Sequence, residues 1–145
     1  MAIFFNTRGE HHSEFKNSSA HGIKLDGVYW RSVAHYVEAQ RFSCPEVQEK
    51  VRKSPYAFAA RSIARAVPDA LRDDWFDVRD RVMEKAVRAK FEAHAELRAA
   101  LCATGKAEII DGSVLGTYWG AGAGGTGQNK LGKIMMKIRD ELSDE

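Results

Sequence analysis

Cysteine is nearly missing from this chain of 145 residues, and no apolar run in it is long. Its two cysteines, Cys44 and Cys102, neither build a disulfide-dense frame nor stand at metal-ligand spacing, so reduced, buried thiols are expected. No stretch approaches the length that crosses a bilayer, and the opening MAIFFNTRGEHH is too short and too polar for a signal peptide. A cytoplasmic protein with no membrane attachment is the expectation. Excess charge of one sign is missing too. The 22 Lys and Arg face 20 Asp and Glu, a formal +2, which argues against a dedicated nucleic-acid surface but leaves room for a local basic pocket. Repeats and low-complexity linkers are also absent, and residues 1–145 therefore read as one domain.

What is present is ordinary globular material: 44% hydrophobic and 29% charged residues, enough to bury a core. Ala2 to Asn6 suit a short strand, followed by a polar loop over residues 7–12. Asp26-Gly27 between the apolar flanks 22–25 and 28–30 is a two-residue hairpin signal. Ser32 caps a helix from Val33 to about Phe42. Ser43-Cys44-Pro45-Glu46 has capping-box spacing before a short polar helix to about Lys53. Ser54-Pro55 reads as the cap and first position of an alanine-rich helix to about Val67. Trp75, Val78, Val82, Met83, Ala86, Val87 and Phe91 recur at three- and four-residue steps, an amphipathic helix from about Asp74 to Lys90. A short helix over 96–103 ends at Thr104-Gly105. An extended stretch over 106–111 follows, and Leu131, Ile134, Met135, Ile138 and Leu142 form the buried stripe of a last helix. The sum is an α+β fold, mostly helical with a small sheet.

Chemistry is concentrated in two places. YWGAGAGGTGQNKLG, residues 118–132, carries six of the twelve glycines. It lacks the Lys-Ser/Thr ending of a P-loop and has no βαβ unit around it. Glycines nevertheless let backbone amides approach a ligand, and the first turn of the following helix could meet an anion. Tyr118 and Trp119 offer faces for a flat ring, Asn129 both donates and accepts, and Lys130 adds charge. The second place is the helix bearing His35, Tyr36 and Glu38, where the spacing sets His35 and Glu38 near one another. For His35, a structural hydrogen-bonding role competes with a catalytic one. The pair His11-His12 has no further partner at ligand spacing, so no metal is expected.

Three stretches together resemble the YbiA-like family, also called the NADAR domain. They are Asp26-Gly27-Val28-Tyr29-Trp30-Arg31-Ser32-Val33-Ala34-His35-Tyr36 with Ala39-Gln40-Arg41-Phe42; the helix with Val82-Met83, Ala86 and Ala89-Lys90-Phe91; and Tyr118-Trp119-Gly120 through Gly127-Gln128-Asn129-Lys130-Leu131-Gly132, with a final Arg139. Leu101, Ala103, Thr104 and Gly105 add a fourth match, and the order holds over nearly the whole chain. The resemblance implies a single YbiA-like domain and an N-glycosidase. Family members split the base–ribose bond of phosphorylated riboflavin-pathway intermediates, a pyrimidine on ribose 5-phosphate, or remove ADP-ribose from modified guanine. Such chemistry binds a flat base, holds phosphate, stabilises an oxocarbenium-like ribose and guides water to the anomeric carbon. It requires no metal or redox cofactor. The implied partner is a small ribosyl phosphate or ADP-ribosyl substrate, and nucleic acid enters only as the carrier of an ADP-ribosylated base. On the glycosidase reading Glu38, standing in for a family carboxylate, is the acid/base or water-positioning group, His35 orients a carboxylate, Trp119 shapes the base and ribose pocket, and Asn129, the asparagine of the family signature, orients ribose or supports the loop. Ligand contacts fall to Arg8, Tyr36, Tyr118, Gly120, Gly127 and Lys130, with Arg8 and Lys130 receiving phosphate.

Two positions depart from the family pattern. Ala34 stands where a Glu precedes the His-Tyr pair, and Gly116 where an acidic residue precedes the Tyr-Trp-Gly element. Three readings stay open: an engineered Glu-to-Ala exchange; relocation of the carboxylate to Glu38, one helical pitch of ~5.4 Å onward, or to Asp111 or Glu14; and a protein that binds a nucleotide-like ligand without cleaving it. Each version with a ligand needs the His35 segment and the glycine-rich bend to face one nucleotide-sized cavity. The sequence sets no oligomeric state.

Overall fold

The computed structural model describes residues 1–9 and 11–144, so Glu10 of the polar loop lies outside the described residues. In chain order the elements are β1 (Ala2–Phe5), β2 (Ile23–Leu25), β3 (Val28–Trp30), α1 (Val33–Gln40), α2 (Pro45–Lys53), α3 (Ala57–Arg65), α4 (Trp75–Ala93), α5 (Ala95–Ala103), β4 (Glu108–Asp111) and α6 (Lys130–Ser143). Single 3₁₀ turns lie at Ser13–Phe15 and Pro68–Ala70. The architecture is α+β, and contacts divide it into two units, residues 1–16 with 91–145 and residues 17–90.

In the unit of residues 17–90, the Asp26-Gly27 turn closes the antiparallel β2–β3 hairpin, pairing Ile23 with Trp30 and Leu25 with Val28. Both turn residues have positive φ, 55° and 81°, the signature of a tight hairpin loop. Two further contacts hold the turn: Tyr36 Oη donates to Asp26 at 2.8 Å, and Lys85 Nζ from α4 reaches its other oxygen at 2.7 Å. Helices α1, α2 and α3 pack on one another. Helix α3 buries its small residues Ala57, Ala60 and Ala64. From α4, Trp75, Val78, Met83, Ala86 and Val87 are buried, the stripe their spacing predicts.

In the other unit, β1 and β4 pair in parallel with Phe5 opposite Asp111, joining segments from the two ends of the chain. Helix α6 lies on β4 and on α5 through Leu131, Met135, Ile138 and Leu142, all buried. Phe5, Phe15 and Phe91 meet edge to face. Arg139, 5% exposed, donates to the Ala107 carbonyl at 2.6 Å and to the Thr104 hydroxyl at 3.1 Å, holding the turn that ends α5.

Three local expectations are corrected. Ser54 ends α2 instead of capping α3: its hydroxyl donates to Val51 O at 2.7 Å, and α3 starts after Tyr56. Cys44, not Ser43, is the N-cap of α2, without a side-chain cap bond. Standing at that helix start, Cys44 is exposed, while Cys102 is half-buried, so neither thiol is sealed in the core.

Candidate active site

Within the unit of residues 17–90, the start of α1 is locked by a polar relay. Ser32 accepts the His35 backbone N–H at 3.2 Å, and its hydroxyl lies 2.7 Å from His35 Nδ1. His35 Nε2 lies 3.0 Å from the Ser54 carbonyl, which can only accept, so the proton sits on Nε2 and Nδ1 accepts from Ser32. The ring is 1% exposed, and burial, with help from Arg31, pushes its pKa below the ordinary histidine value, against the raising effect of the Ser54 carbonyl. His35 is thus a neutral strut between the α1 cap and the end of α2. Neither of its nitrogens is bonded to Glu38.

Glu38, one turn on, is half-buried. Burial raises its carboxyl pKa, although the charges of Arg41, Arg61 and Arg65 pull the other way. Arg41 Nε is 3.8 Å from Glu38 Oε2, an ion-pair distance too long for a hydrogen bond. A desolvated carboxyl held protonated above the usual range can donate a proton. Tyr36 is buried and its hydroxyl is committed to Asp26. Burial, the bond to Asp26 and its charge all raise the phenol pKa. Ala34 is 4% exposed, and its amide donates to Asn17 O at 3.0 Å.

Within the other unit, the carboxyl end of β4 meets the glycine-rich bend. Asp111, 4% exposed, accepts three bonds on Oδ1: from Asn6 Nδ2 at 3.0 Å, the Ser113 amide at 3.1 Å and the Ser113 hydroxyl at 2.8 Å. Asn129 precedes α6 with φ 51°, and its side chain makes no cap bond. Instead its Oδ1 accepts the Asp111 amide at 2.9 Å and its Nδ2 donates to Ile109 O at 2.9 Å, so both ends of the amide bind β4. The bend then closes on the helix start. The amides of Gln128, Asn129, Lys130 and Leu131 donate to the carbonyls of Thr117, Gly120, Tyr118 and Trp119, at 2.8, 3.0, 3.1 and 3.0 Å. The amides of residues 128–131, among the donors that the sequence suggested for an anion, are therefore occupied within the loop. Glycine is needed where backbones touch: a Cβ on Gly127 would strike the Gly120 carbonyl, and one on Gly132 would strike the Ile109 carbonyl and the Asn129 side chain.

On this frame Tyr118 and Trp119 stand half-buried and edge to face, centroids 4.8 Å apart, with Lys130 Nζ 5.8 Å from the Tyr118 ring centre. The structure thus brings Tyr118, Trp119, Gly120, Gly127, Asn129 and Lys130 together in one bend. It brings His35, Tyr36 and Glu38 together on α1. Arg8 is exposed, in the unit that contains the bend. Arg61 and Arg65 were missed by the sequence reading, although their i,i+4 spacing beside Ala60 and Ala64 was a usable signal. Lys90, 1% exposed, is a buried lysine that the apolar stripe of α4 concealed. Among the described residues no group of three or more His, Cys, Asp and Glu could hold a metal ion, and no helix is long and apolar enough to cross a membrane.

These features define a class: a small α+β protein with a half-buried carboxyl beside an arginine in one unit and an aromatic, glycine-rich bend closed onto a helix start in the other. The chain belongs to the NADAR domain family, whose model matches residues 3–143. It is similar to the N-glycosidase YbiA of Escherichia coli strain K12, 38% identical over 143 residues that make up 99% of this chain and 89% of that protein. A riboflavin biosynthesis protein of Vibrio vulnificus strain YJ016 is 37% identical over 142 residues, 98% of this chain and 39% of the relative. The NMR structure of E. coli YbiA matches with a TM-score of 0.90 at 38% identity, covering 99% of this chain and 86% of that one. The family includes N-glycosidases, and the YbiA-like resemblance and the α+β fold both hold.

Proposed function

We propose that this protein is an N-glycosidase that hydrolyses the base–ribose bond of a phosphorylated ribosyl pyrimidine of the riboflavin pathway or of a related ADP-ribosyl base. The observation that carries this reading is similarity along the whole chain to proteins named N-glycosidases, at 38% identity over 99% of its length. The burial-raised carboxyl of Glu38 supports it with a group suited to protonate a leaving base.

In the proposed step, water oxygen bonds to the anomeric carbon as the C–N bond breaks. The bond pair leaves with the base nitrogen, which takes the Glu38 proton, and the proton shed by water restores the acid. Within the bend, Trp119 and Tyr118 offer flat faces of the kind a base stacks on, and Asn129 keeps the bend in shape through β4. His35 acts only by holding the start of α1.

Mass analysis of products tests the reading. Incubation with a ribosyl-pyrimidine phosphate and, separately, with ADP-ribosylated guanosine should release free base from at least one. Glu38→Ala should lower the rate about 10²-fold or more. The wild-type rate should fall as pH rises through the raised Glu38 pKa, and Glu38→Gln should lose that limb. Ordinary turnover by Glu38→Ala would remove Glu38 from the mechanism.

A second reading rests on Ala34, whose buried methyl stands where the resemblance expects a carboxylate. It makes the protein a nucleotide or ADP-ribose binder without turnover. Tight binding of both compounds with no product favours it.

A further inference from the structure

Helix α2 seals only one side chain in the core, Val51. Val47, one turn earlier on the same face, stays half-buried at a cleft of about 300 Å³ between α2 and α3. Val47 and Lys50 line this cleft from α2, and Ser62, Ile63, Ala66 and Val67 line it from α3 and the residues that end it. All six lie in the unit of residues 17–90. The volume stands at the lower end of the range of small-ligand sites, with room for about ten non-hydrogen atoms at the ~30 Å³ that a water takes in the liquid. Four of the six residues present only methyl groups and methines, and two polar side chains interrupt that wall, one from each helix. Among the described residues neither the Lys50 ammonium nor the Ser62 hydroxyl has a hydrogen bond or an ion pair. Glu46 stands four residues before Lys50, the spacing that pairs such side chains, yet the two do not pair, whereas neighbouring Arg52 and Lys53 both engage Glu49. The backbone adds no donor at this end of α3, because the amides of Ala66 and Val67 are spent on the carbonyls of Ser62, Ile63 and Ala64.

We propose that the α2–α3 cleft binds a small apolar carboxylate, an aryl or branched-alkyl acid, with its charged end on Lys50 and Ser62 and its apolar body between Val47, Ile63 and Val67. The site stands apart from the glycosidase reading and does not rest on it. An ammonium group carries three donors and no acceptor, so its partner must bring lone pairs, and an anion makes the stronger bond. The two oxygens of a carboxylate can take one donor from each helix. A compact anion such as phosphate would lie against methyl groups and lose water there without replacement. A plain hydrocarbon would fill the cleft and leave Lys50 and Ser62 without partners. A ligand that joins one charged end to an apolar body answers both halves of the lining.

The test is amide shift titration of the intact protein with phenylacetate and, separately, with phenylacetamide, which has the same shape without the charge. Phenylacetate should shift the amides near Val47 and Lys50 and those of residues 62–67 in a saturable way, with a dissociation constant in the millimolar range or tighter. Phenylacetamide should bind about fivefold more weakly or worse. Lys50→Gln should weaken phenylacetate by about fivefold or more and bring it level with the amide, while Lys50→Arg should retain it. Lys24→Gln, at an exposed position of β2, should leave it unchanged. Ala66→Trp puts a large ring into the cleft from its exposed end and should abolish the shifts, and Lys50→Gln, a surface change, reads the same site if that variant does not fold. Equal affinity for the acid and the amide, an unchanged titration in Lys50→Gln, or no saturable shift in α2 and α3 up to about 20 mM would each overturn the assignment. None of these readings depends on base release from any substrate.

Discussion

His35 and Glu38 sit one turn apart on α1, and burial moves their pKa values in opposite directions, each toward the neutral form. For His35 the folded state refuses a proton that the unfolded chain accepts near its ordinary value of 6.5. Its contribution to stability is therefore present above that value and is lost as pH falls through the depressed folded pKa. His35→Ala would leave the Ser32 O–H without its imidazole acceptor and the Ser54 carbonyl without its imidazole donor. It should cost about 2–4 kcal/mol in urea unfolding at neutral pH and flatten the loss of stability toward acid. A variant as stable as wild type would show that the relay from Ser32 to Ser54 holds nothing. Glu38 has the opposite sign: its raised pKa favours the folded state below the ordinary carboxylate range, and that advantage goes as pH rises through the raised value. Sequence showed that these two residues share a helix; it did not show that the imidazole is spent on serines while the carboxyl faces arginines.

At the level of elements, periodicity and turn chemistry were legible wherever they were local. The Asp26-Gly27 hairpin, the Ser32 cap, the stripe of α4 and the stripe of α6 stand as their residues suggest, except that Ile134 of α6 is only half-buried. Ser54-Pro55 misled, because the same Ser-Pro pair can end one helix or begin the next, and the Val51 carbonyl and His35 decided between them. The bend of residues 118–132 looked flexible from its glycines, yet four consecutive amides and the Asn129 side chain tie it to itself and to β4. Asn129→Ala leaves the Asp111 amide and the Ile109 carbonyl unpartnered in a buried place, and should cost about 2–4 kcal/mol. Hydrogen exchange should then quicken at Asp111 and through residues 128–131, and unchanged protection there would count against the brace.

Across the whole molecule, the parallel pairing of β1 and β4 draws together residues more than a hundred positions apart, as the Asn6–Asp111 bond does. Removal of residues 1–6 takes away β1, the buried Phe5 ring and one of three donors to Asp111. Exchange protection of Ile109 and Ile110 should collapse in the shortened chain, and retained protection would mean that β4 is held by α6 alone. By itself the sequence determined composition, helix and hairpin positions and the NADAR resemblance, because each is written in residue type at short, regular spacing. The tertiary structure decided which polar atoms are already spent: His35 on a carbonyl 19 residues away, Asn129 on β4 at 18 and 20, Asp111 on Asn6 at 105. It also decided which charges gather around Glu38. Partner and burial depend on what the folded chain brings near, and no spacing along the sequence encodes that distance.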